Sequence, residues 1–253
     1  MITIKSPQDI AILKQGGKLL ADILSQVAKQ AVVGVKTLDL DRLAYDLIIK
    51  AGAKPAFLHY RPEGASIDYP ASLCVSINDE IVHGIPSERI LKTGDVVGLD
   101  LGLEYQDLFT DMAVTVVIGQ ASQEDKKLVS VARQALEVGI GAIKPGVTVG
   151  DIGLAIEGFV KKQGLNVVRG LAGHGVGYAP HEDPFIPNYG RAGEGEKIEP
   201  GMVLAIEPMV TAGKGAIRLL ADGYTFVTKD RQRSSHFEHT VVVTKTGVEI
   251  LTK

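Results

Sequence analysis

Two aspartates of this 253-residue chain, Asp100 and Asp111, stand on either side of the turn-like segment GLEYQD. A hairpin centred on Tyr105 and Gln106 would place them directly opposite each other on neighbouring strands, with their Cβ atoms about 5 Å apart. Their valine- and leucine-rich flanks predict buried strands, where two like charges must hold a proton or neutralise a cation between them. The alternative is a pair of solvated acids beside a surface turn.

The second half of the chain carries a counterpart of this arrangement. The segment IEPGMVLAIE, which ends at Glu207, matches LKTGDVVGLD, which ends at Asp100. The segment HTVVVT after Glu238 matches MAVTVV after Asp111. The first pair predicts strands that end at the acid, and the second predicts strands that begin at it. Chance is the alternative in a chain with 29 glycines, but a duplicated unit explains the common order and would bring four carboxylates to one pseudo-twofold axis.

Four buried carboxylates need more than one positive charge beside them. Carboxylate oxygens with one imidazole suit divalent manganese, iron, cobalt or zinc, and pairs of such ions about 3.5 to 4 Å apart recur in hydrolases. His174, in the segment GLAGHGVGYAPHEDP, is the predicted nitrogen ligand because its glycine neighbours allow close backbone approach. Pro180, Pro184 and Pro187 exclude the helix that a phosphate-binding glycine loop needs.

Two further histidines, His83 and His181, are candidates for chemistry beside the metal ions. A neutral histidine there can donate a hydrogen bond to a carbonyl whose oxygen gains charge. The two acids that follow His181 could orient it, whereas His83 could equally be a structural, hydrogen-bonded residue. His59, His236 and His239 have weaker cases, and His239 should point to the opposite strand face from the ligand before it.

The elements that would position these residues follow the same repeat. SPQD at positions 6 to 9 predicts a capped amphipathic helix of about seven turns, and a second amphipathic pattern lies between Gln123 and Ile143. Each pattern precedes a glycine-valine turn, an aspartate and a later glycine, at 34–52 and 146–164. Each of these segments predicts a turn, a helix and a glycine stop.

Composition narrows the function classes. Thirty acids against 27 bases give a net charge of −3, which excludes a global basic field for nucleic acid or anionic membranes. The single cysteine, Cys74, excludes an internal disulfide and a cysteine-built zinc site, and predicts a small buried hydrophobe. No charged-then-apolar leader and no membrane-spanning apolar run is evident, so we expect a cytoplasmic protein with no membrane or nucleic-acid partner.

Five segments, together with the opening IKSPQDI, resemble the type I methionine aminopeptidases of the pita-bread metallopeptidase superfamily. They are SINDEIVHGIP, GLDLGLEYQDLFTDMAV, GHGVGYAPHEDP, AIEPMV and TKDRQRSSHFEHTVVVT, and they spread over nearly the whole chain. The resemblance implies an α+β pita-bread fold, in which a pseudo-twofold duplicated helix/strand unit surrounds a central, mostly antiparallel curved sheet. We expect one catalytic domain over 1–253, with halves of about 1–120 and 121–253.

The resemblance also implies a dinuclear metal centre on the residues that the repeat selected. Asp100 would serve one ion, His174 and Glu207 the other, and Asp111 and Glu238 would bridge. The centre would activate water for attack on the scissile carbonyl. We hypothesise that Glu207 shuttles the proton of that water, that His181 acts on the carbonyl oxygen, and that His83 acts on the scissile amide.

The implied activity is removal of the initiator methionine from nascent proteins and peptides, with a preference for small second residues. Phe57, Tyr60, Tyr69 and Tyr224 are the predicted apolar walls of the methionine pocket. Two departures from the family leave the second-residue preference open. The segment before His83 is longer and contains RPEGASID, and Pro180 stands where a bulky residue is expected.

Two other functions remain alternatives. A proline-directed aminopeptidase or dipeptidase would share the fold, although such enzymes usually carry an extra N-terminal domain. A non-catalytic pita-bread binding module would have lost its metals, which the retained ligands argue against. We expect a monomer that meets nascent chains, with transient ribosome contact through the surface of the catalytic domain. The donor set accepts manganese, iron, cobalt or zinc without choosing among them.

Overall fold

The computed structural model describes residues 2–62 and 64–253. Its helices and strands alternate in two groups along the chain. The helices are α1 (Pro7–Gln30), α2 (Thr37–Lys50), α3 (Gln123–Ala142) and α4 (Val149–Lys162). The strands are β1 (Lys54–Pro55), β2 (Leu73–Ile77), β3 (Glu80–Val82), β4 (Val96–Tyr105), β5 (Leu108–Val117), β6 (Asn166–Val167), β7 (Ala172–Gly175), β8 (Glu182–Pro187), β9 (Val203–Ile206), β10 (Met209–Thr211), β11 (Ile217–Leu219), β12 (Phe226–Thr228), β13 (Ser234–His236), β14 (Glu238–Val243) and β15 (Val248–Ile250).

Helix α1 begins where the capping sequence predicts. The backbone N–H of Asp9 donates to Ser6 Oγ at 3.2 Å, and the backbone N–H of Ser6 donates back to Asp9 Oδ2 at 2.9 Å. This capping box satisfies two of the helix's otherwise free amide groups. The helix runs for 24 residues, so the prediction of about seven turns is confirmed. Helix α3, capped by Ser122, confirms the second amphipathic pattern.

The duplicated turn and helix unit is visible in matching hydrogen bonds. The N–H of Gly34 donates to the Leu91 carbonyl, and the N–H of Gly146 donates to the Ile198 carbonyl, both at 2.9 Å. Gly34 and Gly146 have φ values of 92° and 91°, in the left-handed region that glycine adopts at little cost. Helices α2 and α4 follow these turns. The predicted repeat of turn, helix and glycine stop is therefore confirmed.

A nine-stranded sheet holds the two halves together. Its main path runs β1-β4-β5-β14-β9-β7-β8, while β2 also pairs with β4 and β15 with β14. All of these pairings are antiparallel. The halves meet where β5 pairs with β14. One buried apolar cluster joins α1 and α2 to β2 and β4, and an equivalent cluster joins α3 and α4 to β9 and β14.

The predicted hairpin around the first two acids is displaced by one residue. The turn consists of Gln106 and Asp107, whose φ values of 50° and 61° are typical of a two-residue turn that matches strand twist. Asp100 therefore pairs with Ala113, and Asp111 pairs with Gly102. The prediction that the two aspartates lie directly opposite each other was wrong. They lie diagonally on one face, because moving the turn by one residue moves every pairing by two.

The predicted strand ends hold in the second half and fail in the first. Strand β9 ends at Ile206, directly before Glu207, and β14 begins at Glu238. In the first half, β4 continues to Tyr105 and β5 already begins at Leu108. The longer strands pair continuously through the hairpin, so the acids lie inside them. Among the described helices, none has the length and apolar character that crossing a membrane requires.

Helix α4 offers a test of how closely the second half is packed. A Cβ at Gly153 would lie 2.4 Å from the Tyr189 carbonyl oxygen and 2.5 Å from that of Pro187, whereas a Cβ at Gly158 would meet nothing within 4 Å. Gly153→Ala should lower the free energy of unfolding by about 1 to 3 kcal/mol. The control Gly158→Ala should raise it by up to about 1 kcal/mol, because alanine favours the helix. Urea denaturation of both variants measures the difference, and equal effects would contradict this packing.

Candidate metal centre

One cavity of about 70 Å³ collects the residues that the sequence singled out. All five predicted metal ligands, both predicted catalytic histidines and all four predicted pocket aromatics line it. Two residues without a predicted role, Pro62 and Cys74, line it as well. The described residues that line it are Phe57, Tyr60, Pro62, Tyr69, Cys74, His83, Asp100, Asp111, His174, His181, Glu207, Tyr224 and Glu238.

The five predicted ligands come from five neighbouring strands of the large sheet. In the strand order β4-β5-β14-β9-β7, the residues are Asp100, Asp111, Glu238, Glu207 and His174, with Glu207 directly after β9. Each strand thus supplies one donor, and the hydrogen-bonded ladders set the spacing between the donors. The centre of this group is the junction of the two halves.

The donor atoms converge closely enough for a metal ion. One ligand atom from each of Asp111, His174 and Glu238 lies within 4.8 Å of the others. His174 Nε2 also lies 3.5 Å from Glu207 Oε1. His174 Nδ1 is 2.8 Å from the Gly175 carbonyl oxygen. A proton on Nδ1 would satisfy that carbonyl and leave Nε2 free as a ligand, which is the usual second contact of a metal-binding histidine.

Two carboxylate oxygens of the centre lack a hydrogen-bond partner among the described residues. They are Asp100 Oδ1 and Glu238 Oε1, and both are buried. The backbone of Asp111 is fixed, since its N–H donates to Thr240 Oγ1 at 2.9 Å and Thr240 Oγ1 donates to its carbonyl oxygen at 2.7 Å. Buried acceptors are normally satisfied, so the two oxygens without a hydrogen bond indicate a missing partner. A divalent cation fits both the positions and the donor types.

The acids of the centre hold their protons unusually tightly. Burial raises the pKa of Asp111 to about 7. Burial, and then repulsion by neighbouring carboxylates, raises the pKa of Asp100, Glu207 and Glu238 well above the usual range. A bound cation would reverse both effects by favouring the ionised form. The residues present therefore fit divalent metal ions.

The two candidate catalytic histidines lie on the rim of this group. The rings of His181 and His174 have centroids 4.4 Å apart. His83 directly follows β3 with a φ of 60°, and its ring packs edge-on against Phe226. Burial lowers the pKa of His83 to about 4. The surrounding protein lowers the pKa of His181 as well, although this side chain is open to solvent on its cavity side. Both rings are neutral at physiological pH.

Of the two acids expected to orient His181, Glu182 is engaged elsewhere. It accepts hydrogen bonds from the buried Lys5 ammonium and from the backbone N–H of Ala179. His181 Nδ1 lies 3.0 Å from the Tyr60 hydroxyl, and the two rings stack with centroids 5.3 Å apart. Tyr60 thus belongs to both the pocket wall and the histidine.

The predicted aromatic residues form one wall of the cavity. Tyr69 donates a hydrogen bond to the Gly84 carbonyl at 3.0 Å and packs edge-on against Tyr224, with centroids 5.1 Å apart. Phe57 lies so close to β4 that a Cβ at Gly102 would be 2.5 Å from its ring. Burial raises the pKa of the Cys74 thiol, which fits the expected inert hydrophobe.

The two predicted departures from the family lie in different places. Within the segment RPEGASID, Pro62 lines the cavity, and Tyr224 donates its hydroxyl hydrogen to the Ile67 carbonyl. Glu63 of this segment lies outside the described residues. Pro180 is buried and is absent from the cavity lining. The longer segment is therefore the departure that touches the candidate site.

Sequence reasoning missed one residue of the centre, His236. Its Nε2 atom lies 3.5 Å from Glu207 Oε2 and 3.9 Å from Glu238 Oε2, and burial lowers its pKa to about 3. The sequence signal that could have identified His236 is its position two residues before Glu238. The other two histidines lie outside the cavity lining. His239 contacts Thr252 Oγ1 at 2.9 Å, as its predicted opposite orientation requires, and His59 is exposed.

Comparisons with known proteins agree with this geometry. The family model described as metallopeptidase family M24 matches residues 11–245. Methionine aminopeptidase 1 of Bacillus subtilis (strain 168) is 42% identical over 253 residues, with full coverage of both chains. The crystal structure of methionine aminopeptidase from Thermotoga maritima matches with a TM-score of 0.95 and 44% identity, again over 100% of each chain.

For more distant neighbours, the similarity supports the fold alone. Prolidase from Pyrococcus furiosus matches with a TM-score of 0.75 at 22% identity, and this chain spans 65% of its length. The comparisons thus confirm the predicted pita-bread fold and favour the aminopeptidase over the proline-directed alternative. The chain therefore belongs to metallopeptidase family M24. Within this family it belongs to the methionine aminopeptidases, which hydrolyse peptide bonds with divalent metal.

Proposed function

We propose that the chain removes the N-terminal methionine from peptides and nascent proteins at a centre of two divalent metal ions. The observation that carries the proposal is the row of five donors on five neighbouring strands, facing an aromatic-walled cavity. Charge balance supports two ions, because four ionised carboxylates neutralise two divalent cations while His174 stays neutral. Manganese, iron, cobalt and zinc all suit this donor set.

Each ligand has a proposed place. Asp100 would hold one ion, His174 and Glu207 would hold the other, and Asp111 and Glu238 would serve both. Such ions, when bound, would polarise the scissile carbonyl and lower the pKa of water. The fixed backbone of Asp111, held by Thr240, keeps a shared ligand in place before any ion arrives.

Three residues carry the proton transfers and polar contacts of the proposed reaction. A carboxylate oxygen of Glu207 takes a proton from the attacking water and passes it to the leaving amine nitrogen. If the Tyr60 hydroxyl donates to His181 Nδ1, the imidazole proton resides on Nε2. His181 Nε2–H then donates to the carbonyl oxygen as negative charge develops there. His83 is neutral because burial lowers its pKa, and it contacts the scissile amide.

The two ends of the substrate meet different surroundings. Phe57, Tyr69 and Tyr224 form the apolar wall for the methionine side chain. A second, adjoining cavity shares His174 and His181 and extends to the exposed Phe185. We assign this cavity to the chain beyond the scissile bond. A small second residue suits the position beside the two histidine rings.

The cellular setting is part of the same proposal. Nascent chains as substrates require a transient encounter with the ribosome, made by the surface of this catalytic unit. We also expect a monomer in the cytoplasm, organised as one catalytic domain over 1–253.

Release of free methionine from the peptide Met-Ala-Ser tests the proposal directly. Chelation should abolish release, and manganese, iron, cobalt or zinc added back separately should restore it and rank the ions. A metal titration should give two ions per chain. An Xaa-Pro peptide is the matched substrate control. Cleavage of that peptide alone would establish the proline-directed alternative, and failure to bind metal would favour the non-catalytic module. No cleavage of either peptide despite two bound ions would point to the altered pocket around Tyr60, Tyr69 and Pro180.

Metal binding and catalysis should separate in two variants. Asp111→Asn removes a shared negative charge and should abolish both binding of the second ion and methionine release. His181→Ala should lower kcat by about 10²- to 10³-fold with both ions retained, because it removes one donor to the carbonyl oxygen. His239→Ala, outside the cavity, is the control for both. Metal analysis beside steady-state kinetics measures the split, and parallel loss of metal and rate in His181→Ala would refute the assigned role.

Asp111→Asn should change how the stability of the metal-free protein depends on pH between about 4 and about 7. In this window the folded protein keeps protons on its carboxyl groups, Asp111 with a pKa of about 7 among them, whereas the unfolded chain has released them, so these groups make stability fall as the pH rises. The buried histidines act in the opposite direction, because their lowered pKa values leave them neutral in the folded protein while the unfolded chain still binds their protons. Removing one titrating acid should therefore make the slope of stability against pH more positive in Asp111→Asn than in wild type. Urea denaturation of both chelated proteins across this range measures the two slopes, and equal slopes would contradict the raised pKa of Asp111.

A further inference from the structure

His236 stands between two carboxylates without belonging to either strand that carries them. The residue is 3% exposed, and its Nε2 atom has no hydrogen-bond partner among the described residues. That atom lies 3.5 Å from Glu207 Oε2 and 3.9 Å from Glu238 Oε2. A small rotation of either glutamate would bring an oxygen within hydrogen-bond distance.

The two glutamates lie where the chain passes between two sheets. Glu207 separates β9, in the large sheet, from β10, in a three-stranded sheet with β13 and β6. Glu238 opens β14 after the chain returns from β13. Strand pairing fixes the flanking residues at both crossings, but it does not fix the glutamate side chains. An additional contact is needed there to hold them.

The imidazole is itself firmly anchored in the smaller sheet. His236 pairs with Met209, its backbone N–H donates to Thr115 Oγ1 at 3.0 Å, and Thr115 Oγ1 donates to its carbonyl oxygen at 2.6 Å. Strand β13 is therefore held to both β10 and β5. A donor on this ring has a fixed position relative to the two crossings.

The oxygens of Glu207 are divided between two sides. Its Oε1 atom faces His174 Nε2, the proposed metal ligand, at 3.5 Å, and its Oε2 atom faces His236. Glu238 likewise has Oε2 toward His236 and an unpartnered, buried Oε1. This arrangement is that of a residue behind the ligands.

We propose that His236 is a positioning residue that donates a hydrogen bond from Nε2 to the Oε2 side of Glu207 and Glu238, and so aims their other oxygens at the metal ions. The inference rests on the proposed function for the identity of the two ligands. Contacts of this kind orient ligands and typically change metal affinity by about 10- to 100-fold when removed.

Three substitutions at position 236 separate the donor from the bulk of the ring. His236→Phe keeps the ring shape without a donor. His236→Gln places an amide N–H near the position of Nε2, and His236→Asn places one near Nδ1. The metal is first removed from each protein with a chelator. Metal affinity is then measured by titration with cobalt alone, and the absorption spectrum of the bound cobalt reports its coordination. Kinetics on Met-Ala-Ser and urea denaturation of the metal-free proteins complete the set, with His239→Phe as the matched control.

The expected result is cobalt affinity lowered about 10- to 100-fold in His236→Phe and His236→Asn, and restored to within a few-fold of wild type in His236→Gln. The cobalt spectrum of the saturated protein and the metal-free stability should change little. Wild-type affinity in His236→Phe would overturn the inference, as would a changed cobalt spectrum in His236→Gln, which would make His236 a direct ligand. Wild-type protein that binds no metal or releases no methionine would instead reject the proposed function.

Discussion

Mutual repulsion of four acids withdrawn from water is the constraint on which the structure depends. Asp100, Asp111, Glu207 and Glu238 lie at the junction of the two halves, where burial disfavours the ionised state of all four and like charge adds to this effect at Asp100, Glu207 and Glu238. Without a cation, the folded protein tolerates them only by keeping some of their protons. Cation binding is favoured because each ion relieves the repulsion between several carboxylates at once. Folding and metal binding are therefore coupled through one group of atoms.

Such a group requires a frame that does not relax when the charges are unbalanced. The frame is the antiparallel sheet, in which four donors belong to four different strands, Glu207 directly follows a fifth, and each of these five strands is paired on both of its sides. Each half has one such buried apolar cluster. Burial of the two clusters supplies the free energy that holds this sheet together against the repulsion between the acids. Matching contacts, such as Gly34 to Leu91 and Gly146 to Ile198, show that both halves brace the sheet in the same way.

The repeat made most of the centre predictable from the sequence. Similar strand segments in the same order selected Asp100 and Glu207 as equivalents, and composition around them indicated burial. The register was less accessible, because the conformation of Gln106 and Asp107 decides it and neither residue type demands a left-handed backbone. Long-range contacts that the repeat does not imply were inaccessible. His181 and Tyr60 are 121 positions apart, and only the folded chain shows that one orients the other.

The same duplication that supplies the acids also has to be broken for the site to work. Gly98 and Ala205 are equivalent, and they pair with Ser76 and His174 respectively. The imidazole therefore has a serine as its counterpart, so one side of the acid group gains a nitrogen donor that the other lacks. Ser76 is committed elsewhere, since its hydroxyl accepts the N–H of Gly84 at 3.1 Å.

The surroundings of the acids also differ between the two halves. The first half closes its side with the aromatic wall around Tyr69, whereas the second half leaves an open cavity that reaches Phe185. A peptide substrate differs on the two sides of its scissile bond. One side is a residue to be enclosed, and the other side continues as a chain. In the proposed function, the symmetric acids would set the position of the ions, and these departures from symmetry would set the direction in which a substrate lies across them.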